Sequence, residues 1–130
     1  MIFMKTNAGI VVDNDLNDDK RVLREIDILL DAGYKIHVLC FGFDGKKYSD
    51  IPGVYITRIR IRKKIKDILF FFQNTFPAYE WMWAILIGRF IGKNDIGILH
   101  AHDLYMSRAA YRGIKRSGGD IPLILDLHEN

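Results

Sequence analysis

Cysteine is almost absent from this chain: Cys40 stands alone among 130 residues. A lone thiol closes no internal disulfide, which excludes a disulfide-stapled secreted scaffold. Cys40 lies in an apolar run and reads as a buried, reduced, inert thiol. With only four histidines, widely spaced, no zinc-type ligand pairing is present, and no metal site is expected. No apolar run approaches the eighteen or so residues of a spanning helix. The start, Met-Ile-Phe-Met-Lys, lacks a basic stretch leading into a long apolar core and a small-residue cleavage site, so a cytoplasmic location is expected. Also missing are internal repeats, low-complexity linkers and any recognised nucleic-acid motif, so no nucleic-acid partner is expected. No Gly-x-Gly-x-x-Gly stands near Asp13, which argues against a dinucleotide-binding domain.

What is present is an ordinary globular composition, 49% hydrophobic and 27% charged, with a net charge of +3. The length suits one domain. Charge is uneven. Arg58 to Lys66 holds Arg58, Arg60, Arg62, Lys63, Lys64 and Lys66 with no acid, whereas Asp13, Asp15, Asp18 and Asp19 crowd the N-terminal region.

The chain alternates between strand and helix patterns. Ala8–Asp13 reads as a strand. Asn14–Asp19 is a polar loop suited to turns and helix caps. Lys20–Ala32 carries Val22, Leu23, Ile26, Leu29 and Leu30 on one helical face, and Gly33 closes it. Lys35–Gly42 and Val54–Ile61 read as strands, the latter with one basic side. Lys63–Phe76 and Pro77–Gly92 read as two helices broken at Pro77, rich in Phe, Tyr and Trp. Ile96–His102 is a buried strand ending in His100, His102 and Asp103. Leu104–Ser117 is the helix behind it, for which Asp103 is a suitable N-cap. Pro122–Leu127 is a fifth strand running into His128 and Glu129. Such alternation implies an α/β fold, a Rossmann-like three-layer α/β/α sandwich with a mainly parallel sheet. The ending on a strand and polar loop predicts a domain cut short at its C-terminus.

Open α/β sheets bind ligands at the carboxyl ends of their strands. His102 ends a buried strand and is therefore the leading candidate for chemistry; the competing reading is a histidine that caps the next helix or satisfies a loop carbonyl. His100 shares its face and is expected to lie deeper, as a structural residue. Asn14, Asp15 and Arg21 surround a helix start, a natural anion site, although the acidic loop repels a pyrophosphate and Arg21 is equally readable as a surface residue. The basic tract followed by the aromatic segment Phe70–Phe90 suggests a face for an anionic membrane. The alternative is core aromatics beside a solvated basic edge.

Three stretches together resemble the N-terminal half of a GT-B glycosyltransferase of the family 4 type. Asp19-Lys20-Arg21-Val22-Leu23-Arg24-Glu25, followed by Gly33-Tyr34-Lys35-Ile36-His37-Val38, is similar to the family's Asp-x-Arg-Val-x-x-Glu helix start and the strand behind it. Ile98-Leu99-His100-Ala101-His102-Asp103 is similar to its Val-x-His-x-His strand end. Pro122-Leu123-Ile124-Leu125-Asp126-Leu127-His128-Glu129 is similar to its Pro-x-Val-x-Asp-x-His-Glu. The order and spacing span Gly9 to Asn130. The glycine-rich loop that many members carry after the first strand is missing.

The resemblance implies an acceptor-binding half of a retaining, metal-independent transferase, with the donor-binding half absent and this part inactive alone. It would move a sugar from a nucleotide-sugar donor to a glycan or lipid-linked acceptor, with cell-surface polysaccharide synthesis as the expected setting. It implies a catalytic role for His102, and a cleft containing Asn14, Asp15, Arg21, Asp103, His128 and Glu129. No cofactor is expected in this half. Two other classes stand beside it: a non-catalytic flavodoxin-like interaction domain, and a nucleotide-binding oxidoreductase domain.

Overall fold

A computed structural model of the chain describes residues 7–17, 19–72, 77–102 and 106–126. Its elements run β1 (Asn7–Val11), α1 (Lys20–Asp31), β2 (Lys35–Phe43), β3 (Val54–Ile61), α2 (Lys63–Phe71), α3 (Ala78–Asn94), β4 (Ile98–His102), α4 (Met106–Arg116) and β5 (Leu123–Asp126). The five strands form one parallel sheet in the order β3-β2-β1-β4-β5. Helix α1 packs on one face, and α2, α3 and α4 pack on the other. This is the expected Rossmann-like α/β/α sandwich.

The apolar runs explain the layering. β1 is paired on both edges and is buried from Ala8 onward, so both of its faces are apolar. Ala8, Ile10 and Val12 meet Val22 and Ile26 of α1, whereas Val11, Leu99 and Ala101 meet Trp83, Ile87 and Phe90 of α3 together with α4. Gly9 lets α3 lie directly on β1. A Cβ there would stand 2.9 Å from a ring carbon of Phe90 and 3.0 Å from Ile96.

Some boundaries differ from the periodicity. β1 stops at Val11 because the chain leaves it to cross the end of β2, where Val12 N–H donates to the Leu39 carbonyl and Phe41 N–H to the Asn14 carbonyl. Helix α3 runs through Gly92 to Asn94 and ends on Asp95 at φ 50°. Strand β4 accordingly begins at Ile98, although Ile96 is buried in the turn. Helix α2 ends at Phe71, with Phe72 as its cap. The aromatic segment divides: Tyr79, Trp83 and Phe90 are core, while Phe71, Phe72 and Trp81 are exposed. Among the described residues no helix is long and apolar enough to cross a membrane.

Helices α3 and α4 meet most closely at Gly113, where an added Cβ would stand 2.5 Å from Cγ2 and 2.7 Å from Cβ of Ile87. Gly92, also helical, has nothing within 4 Å of that position. Gly113→Ala should therefore lower unfolding free energy in urea by about 2 kcal/mol, as overpacking outweighs the gain in helix propensity. Gly92→Ala should raise it by about 0.5–1 kcal/mol.

Candidate functional site

The sheet order reverses direction at β1 and β4, which places a crevice at their carboxyl ends. Alternation along β4 turns both His100 and His102 to the α1 side of the sheet. There they meet Glu25, one helical position before the core residue Ile26. One carboxylate oxygen lies 2.5 Å from Nδ1 of His100, and the other lies 3.0 Å from Nε2 of His102. A single glutamate thus bridges both histidines. Burial alone would push Glu25 up, but its hydrogen bonds and charge interactions with His100 and His102 prevail and hold it down at about 2. It remains ionised at neutral pH and orients both rings.

The depth order of the pair is the reverse of that expected from sequence. His102 is 1% exposed and His100 8%. The reason is the uneven cover of this face. Ile124, the β5 partner of His100, is 43% exposed, and among the described residues α1 is the one helix on this side of the sheet.

A second buried pair closes the opposite side of the crevice. Asp13, just past β1, accepts a hydrogen bond of 3.2 Å from the Tyr79 hydroxyl at the start of α3. Burial, reinforced by the Asp13 charge, pushes the Tyr79 phenol far above its ordinary range. The pair ties α3 to the end of the central strand.

Between β1 and α1 the loop is rigidly organised. The Asn14 side chain accepts from Leu16 N–H at 2.7 Å and donates to Asp19 at 2.9 Å, with Leu16 at φ 67°. Asp19 caps α1 by accepting from Val22 N–H at 3.2 Å. Asp15 accepts from Lys46 Nζ at 3.1 Å and from the Tyr48 hydroxyl at 3.2 Å. Burial works to raise Asp15, but these bonds and the Asn17 N–H more than offset it, so its carboxyl falls below its ordinary value. Asn14, Asp15, Asp19, Lys20 and Arg21 line one open cleft of about 440 Å³. Three of the sequence-derived acceptor residues (Asn14, Asp15 and Arg21) are therefore brought together. Asp103, His128 and Glu129 lie outside the described residues.

The basic tract does not form one surface. Arg58 turns inward from β3. Its Nη1 donates to the Asp15 carbonyl at 2.6 Å and to the Phe41 carbonyl at 3.1 Å, and its guanidinium lies 3.8 Å from the centre of the Tyr48 ring. This corrects its assignment to a membrane-facing row: the side chain is held by the β1–α1 loop and is not available to a head group. Lys66 is likewise laid along Phe70, 5.1 Å from its ring centre. Arg60, Arg62, Lys63 and Lys64 are exposed. Cys40, beside Arg58, is fully buried as expected, and burial raises its thiol to about 11.

Glu25 stood in the quoted Asp19–Glu25 run without a role. The available signal was a carboxylate bordering an apolar helix face. Tyr79 and Arg58 gave no such signal, since each finds its partner across a long sequence separation. Among the described residues, no cluster of three or more His, Cys, Asp or Glu is arranged to hold a metal ion. No protein-family model matches the chain, and no curated protein matches it.

Two outcomes follow for stability. A folded-state value near 2 against an ordinary 4.5 means that Glu25 stabilises the fold above pH about 4.5, and that this contribution is lost as pH falls toward 2. Urea unfolding at pH 5 and at pH 2 should show a loss about 2–3 kcal/mol larger in the wild type than in Glu25→Gln. Arg58→Ala should lower stability by about 2–3 kcal/mol, because it removes the donor shared by the Asp15 and Phe41 carbonyls and the stack on Tyr48. Arg58→Lys should recover less than half of that, since an ammonium neither forks between the carbonyls nor stacks on Tyr48 in the same way.

Proposed function

We propose that this chain is the acceptor-side half of a GT-B glycosyltransferase. The parent enzyme would move a sugar, with retention, from a nucleotide-sugar donor to a glycan or lipid-linked acceptor, in cell-surface polysaccharide synthesis on the cytoplasmic side. The observation that carries the reading is the meeting of Glu25, His100 and His102. These residues come from two of the three stretches that resemble the family, and they meet at the crevice where a parallel sheet presents chemistry. Fold alone would support many functions; it is the paired histidines at the strand end, oriented by a carboxylate, that favour this one.

In this reading His102 is the catalytic residue, hydrogen-bonding the donor sugar or stabilising charge as the bond from the anomeric carbon to the leaving phosphate breaks. Glu25 fixes its ring. The acceptor would lie in the cleft of Asn14, Asp15 and Arg21, where polar side chains already held by the loop meet it in position. A nucleotide-binding oxidoreductase is the weaker reading. The α1 N-terminus, where a pyrophosphate would sit, is capped by the Asp19 carboxylate and adjoins Asp15.

Thermal unfolding of the chain with mono- and oligosaccharide acceptors, set beside NAD, NADP and FMN, tests the binding half of the proposal. Stabilisation by a saccharide, abolished by Arg21→Ala, is expected. Stabilisation by a dinucleotide or flavin instead would overturn it. In the complete enzyme, His102→Ala should lower kcat about 10²–10³-fold with KM little changed.

A further inference from the structure

The α2/α3/α4 layer carries an outer face that the proposed chemistry does not use. Ala78, Trp81 and Ile85 fall at i, i+3 and i+7 on α3 and form one stripe. On one side the stripe joins α2 in a cleft of about 290 Å³ lined by Ile68, Leu69, Phe72 and Ala78. On the other side it joins α4 in a groove of about 510 Å³, where Trp81, Ala84 and Ile85 meet Arg112, Lys115 and Arg116. The two apolar depressions thus lie on either side of this stripe of α3. Their apolar groups are unusually open to solvent: Ile68 is 57% exposed and Trp81 55%, and α2 has no buried residue.

Cations flank this stripe on the α4 side. Helix α4 carries Arg108, Arg112, Lys115 and Arg116 and no acid. Arg112 is paired with Glu80 of α3 at 3.1 Å, which leaves Lys115 and Arg116 to dominate the rim. An apolar stripe bearing Trp beside a row of Lys and Arg is complementary to a surface that is anionic outside and apolar beneath. A single-stranded nucleic acid would match the charge but would leave aliphatic Ile68 and Ile85 without a stacking partner.

We propose that the outer face of the α2/α3/α4 layer docks on an anionic lipid bilayer, with Trp81 at the level of the head groups. The docking surface differs from that expected from sequence: its cations come from α4 and not from the Arg58–Lys66 tract. It lies on the opposite side of the sheet from Glu25 and His100, and it stands independently of the transferase reading.

The two tryptophans make the test direct. Trp83 is fully buried and Trp81 exposed, so a change in emission on binding reports Trp81. The chain is mixed with vesicles of phosphatidylcholine alone, or of phosphatidylcholine with roughly a third phosphatidylglycerol, and bound protein is measured by sedimentation. Binding to the anionic vesicles only, weakened by salt and accompanied by a blue shift, is expected. Trp81→Phe should abolish the shift while sedimentation persists. Lys115→Glu with Arg116→Glu should lower partitioning at least tenfold, on the order of fivefold per charge removed from the surface. Lys115→Gln with Arg116→Gln should fall between that pair and the wild type. Arg24→Glu with Lys35→Glu, an equal charge change away from the face, should leave partitioning within about twofold once salt screens distant charges. The proposal is overturned by absence of binding to anionic vesicles, by equal losses in the two reversed pairs, or by binding of a single-stranded oligonucleotide without vesicle binding. None of these outcomes bears on saccharide binding.

Discussion

A parallel strand paired on both edges and covered on both faces keeps its polar side chains to its ends. β1 is in that position, with Asn7 at one end and Asp13 just past the other, and the layout of the molecule follows from it. Gly9 removes the one side chain that would hold α3 off the sheet. With α3 seated on β1, Tyr79 reaches Asp13, and Trp83 fills the core behind Phe41 at a ring distance of 5.0 Å. On the other face Val22 and Ile26 seat α1, which brings Glu25 over the last turn of the β4 ladder.

Buried polar groups are tolerated here because they come in sets. Glu25 serves two histidines, and Asp13 serves Tyr79. Arg58 spends a donor on the Asp15 carbonyl, in the loop after β1, and on the Phe41 carbonyl of β2, the kind of backbone group that burial would otherwise leave costly. Each set links elements distant in sequence. Removing one partner therefore strands a charge or a carbonyl, and the effect spreads to the loop that shapes the Asn14–Arg21 cleft. The proposed catalytic ring and the proposed acceptor cleft share α1, which carries Glu25 and is capped by Asp19.

The two faces of the sheet differ in character. On the α1 side, Ile124 and His100 lie under incomplete cover, beside the candidate chemistry. On the other side, the helical layer is well packed inside and apolar and basic outside. The first arrangement suits a small polar ligand at a strand end. The second suits a broad anionic surface. Both properties follow from where four helices, amphipathic or mainly apolar, find room on a five-stranded sheet.

The sequence by itself determined the element order, the parallel α/β class and the candidate histidines. Those are local properties: apolar periodicity along Val22–Leu30, a buried run at Ile98–Leu99, a helix break at Pro77, a polar cluster at a strand end. It also brought Asn14, Asp15 and Arg21 to notice, because a loop and the helix start after it are neighbours along the chain. Only the tertiary structure decided that Glu25 joins His100 and His102, that Asp13 meets Tyr79, and that Arg58 leaves the basic row to hold a loop. Those pairs are separated by 43 residues for Arg58 and Asp15 and by 66 for Tyr79 and Asp13. Periodicity shows which face of an element is apolar. Which distant partner a polar group at the border of that face meets is settled only when strand order and helix packing bring the elements together.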